Sequence, residues 1–138
     1  MSMKCVVVLS VIPALGVSLL VSSAAEKKID AGKLPPASSK AGVTYEADIK
    51  PIFEKSCFKC HGKEKQKGKL RLDSREAALK GGENGKILIP GNSAESAIVI
   101  AVARAGDEDE AMPPTDKGDP LTKEQVGLIR AWIDQGAK

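Results

Sequence analysis

Cys57-Phe58-Lys59-Cys60-His61 is the stretch that decides the fold of this 138-residue chain. Two cysteines three residues apart lie about one helical turn from each other, so both thiols can reach the same edge of a planar macrocycle. The next residue, His61, is then carried beneath that macrocycle to a central metal. This is the attachment pattern of haem c, in which both thiols bond to the haem and the histidine binds the iron. The pattern predicts one covalently bound haem, with His61 as an axial ligand whose Nδ1 donates to a backbone carbonyl.

Two other kinds of site also use a Cys-x-x-Cys pair. A thioredoxin-like redox pair lies between a strand and a helix, whereas the residues before Cys57 have a helical pattern. A structural zinc site needs about four ligands, commonly cysteine and histidine. After residue 25 the chain offers two cysteines, one histidine and no second cluster. The haem interpretation is therefore favoured over both.

Met112 is the candidate for the second axial ligand. His61 is the only histidine, so one chain cannot supply two imidazoles. The other two methionines lie in the first three residues, which leaves Met112, and the two prolines that follow it stiffen the backbone. Taken alone, a methionine in a loop is more often a surface or core residue. With the haem motif upstream, ligation by imidazole and thioether is predicted.

The beginning of the chain has the composition of a secretory leader. Residues 1–25 combine an early lysine, an apolar run and a small-residue exit, which predicts a signal peptide; the alternative is an uncleaved membrane anchor. Residues 26–42 are rich in Lys, Ala, Ser, Gly and Pro and predict a flexible tether. Residues 43–138 then form one folded domain. We expect a periplasmic or otherwise exported bacterial protein, bound to a membrane only if the leader remains.

Short helices are predicted on both sides of the motif. The first has Asp48 as its N-cap, Pro51 in its first turn and a buried face that includes Phe53, and it runs into Cys57. A second helix, residues 75–80, follows Asp73-Ser74 and stops at two glycines.

Two more helices follow later in the chain. Asn92 or Ser93 caps an apolar helix over residues 97–102. The last helix begins at a capping box formed by Thr122 and Gln125 and ends near Gly136. Trp132 on this helix is predicted to be a core residue, with the alternative that its indole N–H reaches a haem propionate.

The charge pattern indicates a redox surface rather than a nucleic-acid surface. The net charge of +3 comes from interleaved acids and bases, so we expect no nucleic-acid partner. Lys63, Lys65, Lys67 and Lys69 come directly after the haem-binding histidine and are predicted to lie near the haem edge. They are candidates for docking redox proteins; the alternative is a solvated loop whose charges only keep the protein soluble.

Beyond the motif, the sequence resembles the planctomycete-type cytochrome c domain, a branch of the class I cytochrome c fold. The resemblance is carried by Asp48-Ile49-Lys50-Pro51-Ile52, Cys57 to Gly62, Lys67 to Gly82, Pro90-Gly91, Ser96, Met112-Pro113-Pro114, Leu121-Thr122, Trp132-Ile133 and Gly136-Ala137. It implies an all-α single domain of short helices wrapped around haem c, ligated by His and Met. In that family the domain is frequently the front part of a larger protein, and roles of such fused domains are not carried over.

With both axial positions filled, the expected activity is outer-sphere transfer of single electrons, and we expect no enzyme activity. Cys57, Cys60, His61 and Met112 are the predicted haem-binding residues, and His61 and Met112 the predicted iron ligands. One alternative is a haem subunit or module of a larger oxidoreductase. Another is a haem peroxidase or gas sensor in which Met112 leaves the iron readily.

Overall fold

Helix formation in the domain starts at Thr44, whose hydroxyl accepts a hydrogen bond from the amide of Ala47, 3.3 Å. The computed structural model describes residues 28–138, and the predicted signal peptide lies outside them. A π-helical turn at Tyr45–Ile49 continues into helix α1 at Lys50–Ser56. Pro51 lies in the first turn of α1, as predicted.

Asp48 is not the N-cap of this stretch, so that prediction is wrong. The π-helical turn extends the helix toward the N-terminus, and Thr44 takes the capping position. The carboxylate of Asp48 instead accepts a hydrogen bond from the amide of Thr44, 3.0 Å, and forms an ion pair with Lys40. These two contacts lower the pKa of Asp48, the Lys40 hydrogen bond most.

Helices α2 to α5 follow at Phe58–His61, Arg75–Lys80, Ala97–Val102 and Lys123–Asp134. Short 3-10 turns lie at Ala31–Lys33, Lys67–Lys69 and Glu108–Glu110. Within residues 28–138 there are two isolated β-bridges and no β-strand. The predicted all-helical class is confirmed, and none of the helices in this range is long and apolar enough to cross a membrane.

The helix ends show which capping predictions succeed. Ser74 caps α3, and the capping box of α5 forms between Thr122 and Gln125, with hydrogen bonds of 2.9 and 3.2 Å. The predicted cap of α4 is wrong, because Ser96 occupies the N-cap position. Asn92 lies one turn earlier, where its side-chain oxygen accepts from the amide of Glu95, 3.2 Å.

The core centres on Tyr45, which lies between Phe53 and Trp132 at ring-centroid distances of 6.3 and 5.8 Å. Ile49, Ile52 and Phe53 are all buried, so the predicted face of the first helical stretch is confirmed. Trp132 is fully buried, and its indole N–H donates to the carbonyl of Lys138, 2.8 Å. Trp132 is therefore a core residue. Its indole N–H already donates to Lys138 in this structure, whereas the alternative prediction was a contact with a haem propionate.

Residues 28–42, here called the N-terminal segment, lie along the domain surface. The amide of Asp30 donates to Ala105 (2.7 Å), the amide of Ser38 donates to Gly127 in α5 (2.9 Å), and the side chain of Gln135 donates to Lys40 (2.8 Å). Arg130 of α5 also donates to the carbonyl of Pro35. The sequence predicts a flexible tether here, whereas the structure shows hydrogen bonds to the domain, because backbone groups in a segment without apolar periodicity can still pair with a helix.

Candidate haem site

The Cys-x-x-Cys-His motif forms a single helical turn. Helix α1 ends before Cys57, whose backbone leaves the helical region at φ −123° and ψ −34°, and α2 begins at the next residue. The amides of Cys60 and His61 donate to the carbonyl of Cys57, 3.0 and 2.8 Å. The predicted one-turn spacing is thus present, and both thiols are free and partly buried.

A cavity of about 290 Å³ lies beside this turn. Cys60 and His61 line it together with Met112, which comes from a distant part of the chain, whereas Cys57 is not among its lining residues. Leu70, Ile87 and Pro114 supply apolar surface, and Lys67 and Lys117 also line the cavity. The volume is near the lower end of the range for small-molecule sites, about 300–1,000 Å³.

One wall of the cavity is made of backbone where two loops touch. A β-carbon at Gly82 would approach the carbonyl oxygen of Gly68 to 2.6 Å, and one at Gly81 would approach that of Gly85 to 2.2 Å. Gly81 also has a φ of +81°, a conformation that favours glycine. The sequence predicts Gly81 and Gly82 only as a helix stop, and the place of Gly82 in the cavity wall was missed because it depends on a contact between two loops.

The imidazole of His61 is suited to bind a metal. Burial lowers the pKa of His61, while the backbone of Lys67 and Leu70 opposes that shift. The ring is therefore neutral at neutral pH and keeps a lone pair for a metal. Nδ1 is buried and forms no hydrogen bond within the described residues, although the backbone of Lys67 and Leu70 lies close enough to the ring to oppose the pKa shift. The bond from Nδ1 to a backbone carbonyl therefore stays a prediction.

Burial of the Cys57 thiol makes it a weak acid. Burial, and then the nearby Cys60, raise the pKa of Cys57 to about 12. The thiol is consequently protonated at neutral pH. A protonated thiol is a poor nucleophile, so Cys57 would have to lose its proton before it could bond to a haem.

Met112 lies in a buried part of an otherwise exposed loop. Ala111 and Pro113 on either side of it are buried, whereas residues 115–120 are exposed. The amide of Met112 donates to the carbonyl of Ala101 in α4, 3.1 Å, and the peptide bond between Met112 and Pro113 is cis. This anchoring keeps Met112 at the cavity that His61 also lines.

A second, larger cavity of about 1,010 Å³ lies between the N-terminal segment and α5. It is lined by residues such as Leu34, Val102 and Leu128, and it shares no residue with the cavity at His61. Size alone would favour it as a binding site. The smaller cavity is the candidate site because the motif residues lie there.

Comparison with known proteins agrees with this assignment. Residues 57–116 match the model of the family described as Planctomycete cytochrome C, which confirms the resemblance read from the sequence. The matched range contains both the motif and Met112, and the cytochrome c class of this domain implies haem c as its cofactor. No curated protein and no solved structure matches the chain.

Proposed function

We propose that the protein is a monohaem c-type cytochrome that carries single electrons between redox partners outside the cytoplasm. The observation that carries this proposal is that Cys60, His61 and Met112, from two distant segments, line one cavity. A thiol can attach a haem c, and imidazole with thioether is a common pair of axial ligands for its iron. A haem bound there would supply reversible one-electron exchange between ferrous and ferric iron.

The residues around the cavity would bind and tune that group. Cys57 and Cys60 would attach it, and the turn that joins them to His61 would fix the position of the imidazole. His61 and Met112 would fill both axial positions and leave no coordination position for a substrate, which supports an electron carrier rather than an enzyme. In the same proposal, the helices would wrap around the haem as they do in class I cytochromes.

The same proposal places the protein in the periplasm or elsewhere outside the cytoplasm. It is supported by the leader pattern of residues 1–25 and by the chemistry of haem c attachment. The lysine patch, Lys63, Lys65, Lys67 and Lys69, is the proposed docking surface for redox proteins. All four lysines are exposed, and within residues 28–138 no ion pair joins them to a carboxylate.

Covalent attachment is tested by expressing the full chain with a haem-attachment system. Thioether bonds survive boiling in detergent, so we expect a haem-staining band at the mass of the protein plus one haem. Cys57→Ala combined with Cys60→Ala should abolish the stain. Cys5→Ala is the matched control, because it removes the third cysteine, outside the motif, and should leave the stain unchanged. Staining that persists in the double variant would refute attachment at the motif.

Carbon monoxide binding separates the electron carrier from the peroxidase or gas-sensor alternative. If Met112 holds the iron, the reduced protein should bind carbon monoxide slowly and incompletely. Rapid, saturating binding would favour the alternative in which Met112 leaves the iron readily. A subunit or module of a larger oxidoreductase would give the same slow binding, and co-purification with a partner would distinguish it from a free carrier.

A further inference from the structure

Arg104 has an unusual backbone conformation directly after α4. Its φ is +54°, a left-handed value that glycine adopts readily and arginine rarely. Its Nε is buried and has no hydrogen-bond partner among the described residues, which is also unfavourable. An arginine in such a conformation is a candidate for a side chain with a role of its own.

The side chain of Arg104 reaches the loop that carries Met112. Its Nη2 donates to the carbonyl of Pro113, the residue after Met112, 2.9 Å. Pro113 and Pro114 have no amide hydrogen, so the backbone of residues 112–114 can be held by hydrogen bonds only through the Met112 amide and through its carbonyl groups. The Met112 amide bonds to Ala101, and the carbonyl of Pro114 accepts from the amide of Lys117, 2.9 Å.

Of these three hydrogen bonds, only the one from Arg104 involves a side chain. Its donor is charged, and a charged donor makes a stronger hydrogen bond than a neutral amide. It joins the end of α4 to the buried Pro113, beyond which residues 115–120 are exposed and offer little packing. Loss of this bond would release the loop immediately after Met112 while leaving the helices in place.

We propose that Arg104 is a positioning residue that keeps the thioether of Met112 facing the candidate haem cavity. The proposal rests on the proposed function, since the position of the thioether matters only if Met112 binds iron. Arg104 does not line that cavity, so its effect would pass through Pro113 and the loop.

The test uses the full-length, haem-loaded protein and compares Arg104→Gly with Arg104→Lys. Glycine fits the left-handed backbone, so Arg104→Gly removes the side chain without adding backbone strain. We expect the weak far-red sulfur-to-iron band of the ferric protein to diminish. Cyanide should bind the ferric protein about tenfold faster, because losing a charged hydrogen bond shifts an equilibrium by about this factor. Arg104→Lys keeps a donor for the single bond and should stay within about twofold of wild type.

Arg75→Ala is the matched control for loss of an arginine-to-carbonyl hydrogen bond, because Arg75 donates to Ala137, 2.6 Å, away from the loop. It should leave the band and the cyanide rate unchanged. In a Met112→Ala background, Arg104→Gly should cause no further increase in the cyanide rate, since the two changes act through the same ligand. A further increase there would mean that Arg104 shields the cavity in general, and would overturn the proposal.

The outcomes also separate this inference from the proposed function. If wild type shows the band and Arg104→Gly leaves both band and cyanide rate unchanged, the role of Arg104 is refuted and ligation by Met112 stands. If wild type lacks the band and binds cyanide as fast as Met112→Ala, then Met112 is not a ligand and both proposals fail.

Discussion

The hydroxyl of Tyr45 is held in the core by a single acceptor, the carbonyl of Leu72, 2.5 Å. Burial, and then the nearby Glu46, raise the pKa of Tyr45 well above its ordinary value of 10.0. With a folded-state pKa above the unfolded one, the stability that Tyr45 contributes is complete below about pH 10 and is lost as the pH rises toward the folded-state pKa.

We therefore expect the free energy of unfolding of wild type to fall above about pH 10. Tyr45→Phe should lose about 1 kcal/mol at pH 7, the net value of one hydrogen bond, and should show a smaller fall at alkaline pH. Denaturant titrations of both proteins at neutral and alkaline pH measure this difference. An equally steep alkaline loss in Tyr45→Phe would show that other groups cause it.

At the same scale, the sequence indicates the candidate ligands, but it does not indicate which side chains hold the backbone elsewhere. His61 and Met112 follow from a motif and from the scarcity of histidine and methionine. The hydrogen bonds of Tyr45 and Arg104 do not, because each side chain donates to a backbone carbonyl, that of Leu72 for Tyr45 and that of Pro113 for Arg104. A carbonyl is present at every residue, so the sequence carries no sign of which one is used.

Among the helices, prediction of the ends depends on how local the capping contact is. The capping box of α5 forms within three residues and is predicted, and the Ser74 cap of α3 is equally local and agrees with a helix predicted to follow Asp73-Ser74. The start of the first helical stretch is not predicted correctly, because a π-helical turn adds residues ahead of α1 and Thr44 is the N-cap. Several polar residues near a helix start can all serve as caps, so the sequence does not decide among them.

The contact between α5 and the N-terminal segment gives a prediction for Gly127. Alanine inside a helix is intrinsically about 1 kcal/mol more favourable than glycine. A β-carbon at Gly127, however, would lie 2.9 Å from the carbonyl oxygen of Pro36. We expect Gly127→Ala to displace the segment and to speed hydrogen exchange at the amide of Ser38 about tenfold or more, as loss of a local hydrogen bond does.

Hydrogen exchange with mass spectrometry, read on the peptide that contains Ser38, measures this effect. Lys55→Ala on α1 is the control, because Lys55 is exposed and lies outside the contact. The haem spectrum should be the same in all three proteins. Unchanged exchange at Ser38 in Gly127→Ala would mean that the segment adapts to the added methyl group.

For the whole molecule, the lysine patch predicts how charge controls electron transfer. Oxidation of the reduced protein by ferricyanide, an anion, should slow as salt rises past about 0.1 M, where screening reaches about 10 Å. Changing Lys65, Lys67 and Lys69 to Glu should slow it at low salt and speed oxidation by a cationic cobalt complex.

Stopped-flow absorbance at the haem bands gives both rates. Lys28, Lys33 and Lys123 changed together to Glu form the matched control, because all three are exposed, the change in net charge is the same, and none lines the candidate haem cavity. If both triple variants slow oxidation by ferricyanide equally, net charge rather than the lysine patch controls the rate. The lysines would then belong to a solvated loop, as in the alternative interpretation.

At this scale the helical class and the approximate order of helices follow from the sequence, but the placement of residues 28–42 does not. That segment has no apolar periodicity, and its attachment uses backbone groups and the side chains of Arg130 and Gln135. The larger cavity beneath it is equally invisible in the sequence, since it arises from two segments that lie far apart along the chain.

The last residues of the described chain are tied to the first helical stretch. The carbonyl of Lys138 accepts from the amide of Tyr45 (3.1 Å) and from Trp132, and the carbonyl of Ala137 accepts from Arg75. A mechanical load applied between residues 45 and 138 would thus be carried first by this junction. None of these residues lines the cavity at His61, so tension on the ends would reach the candidate haem site only after the junction had opened.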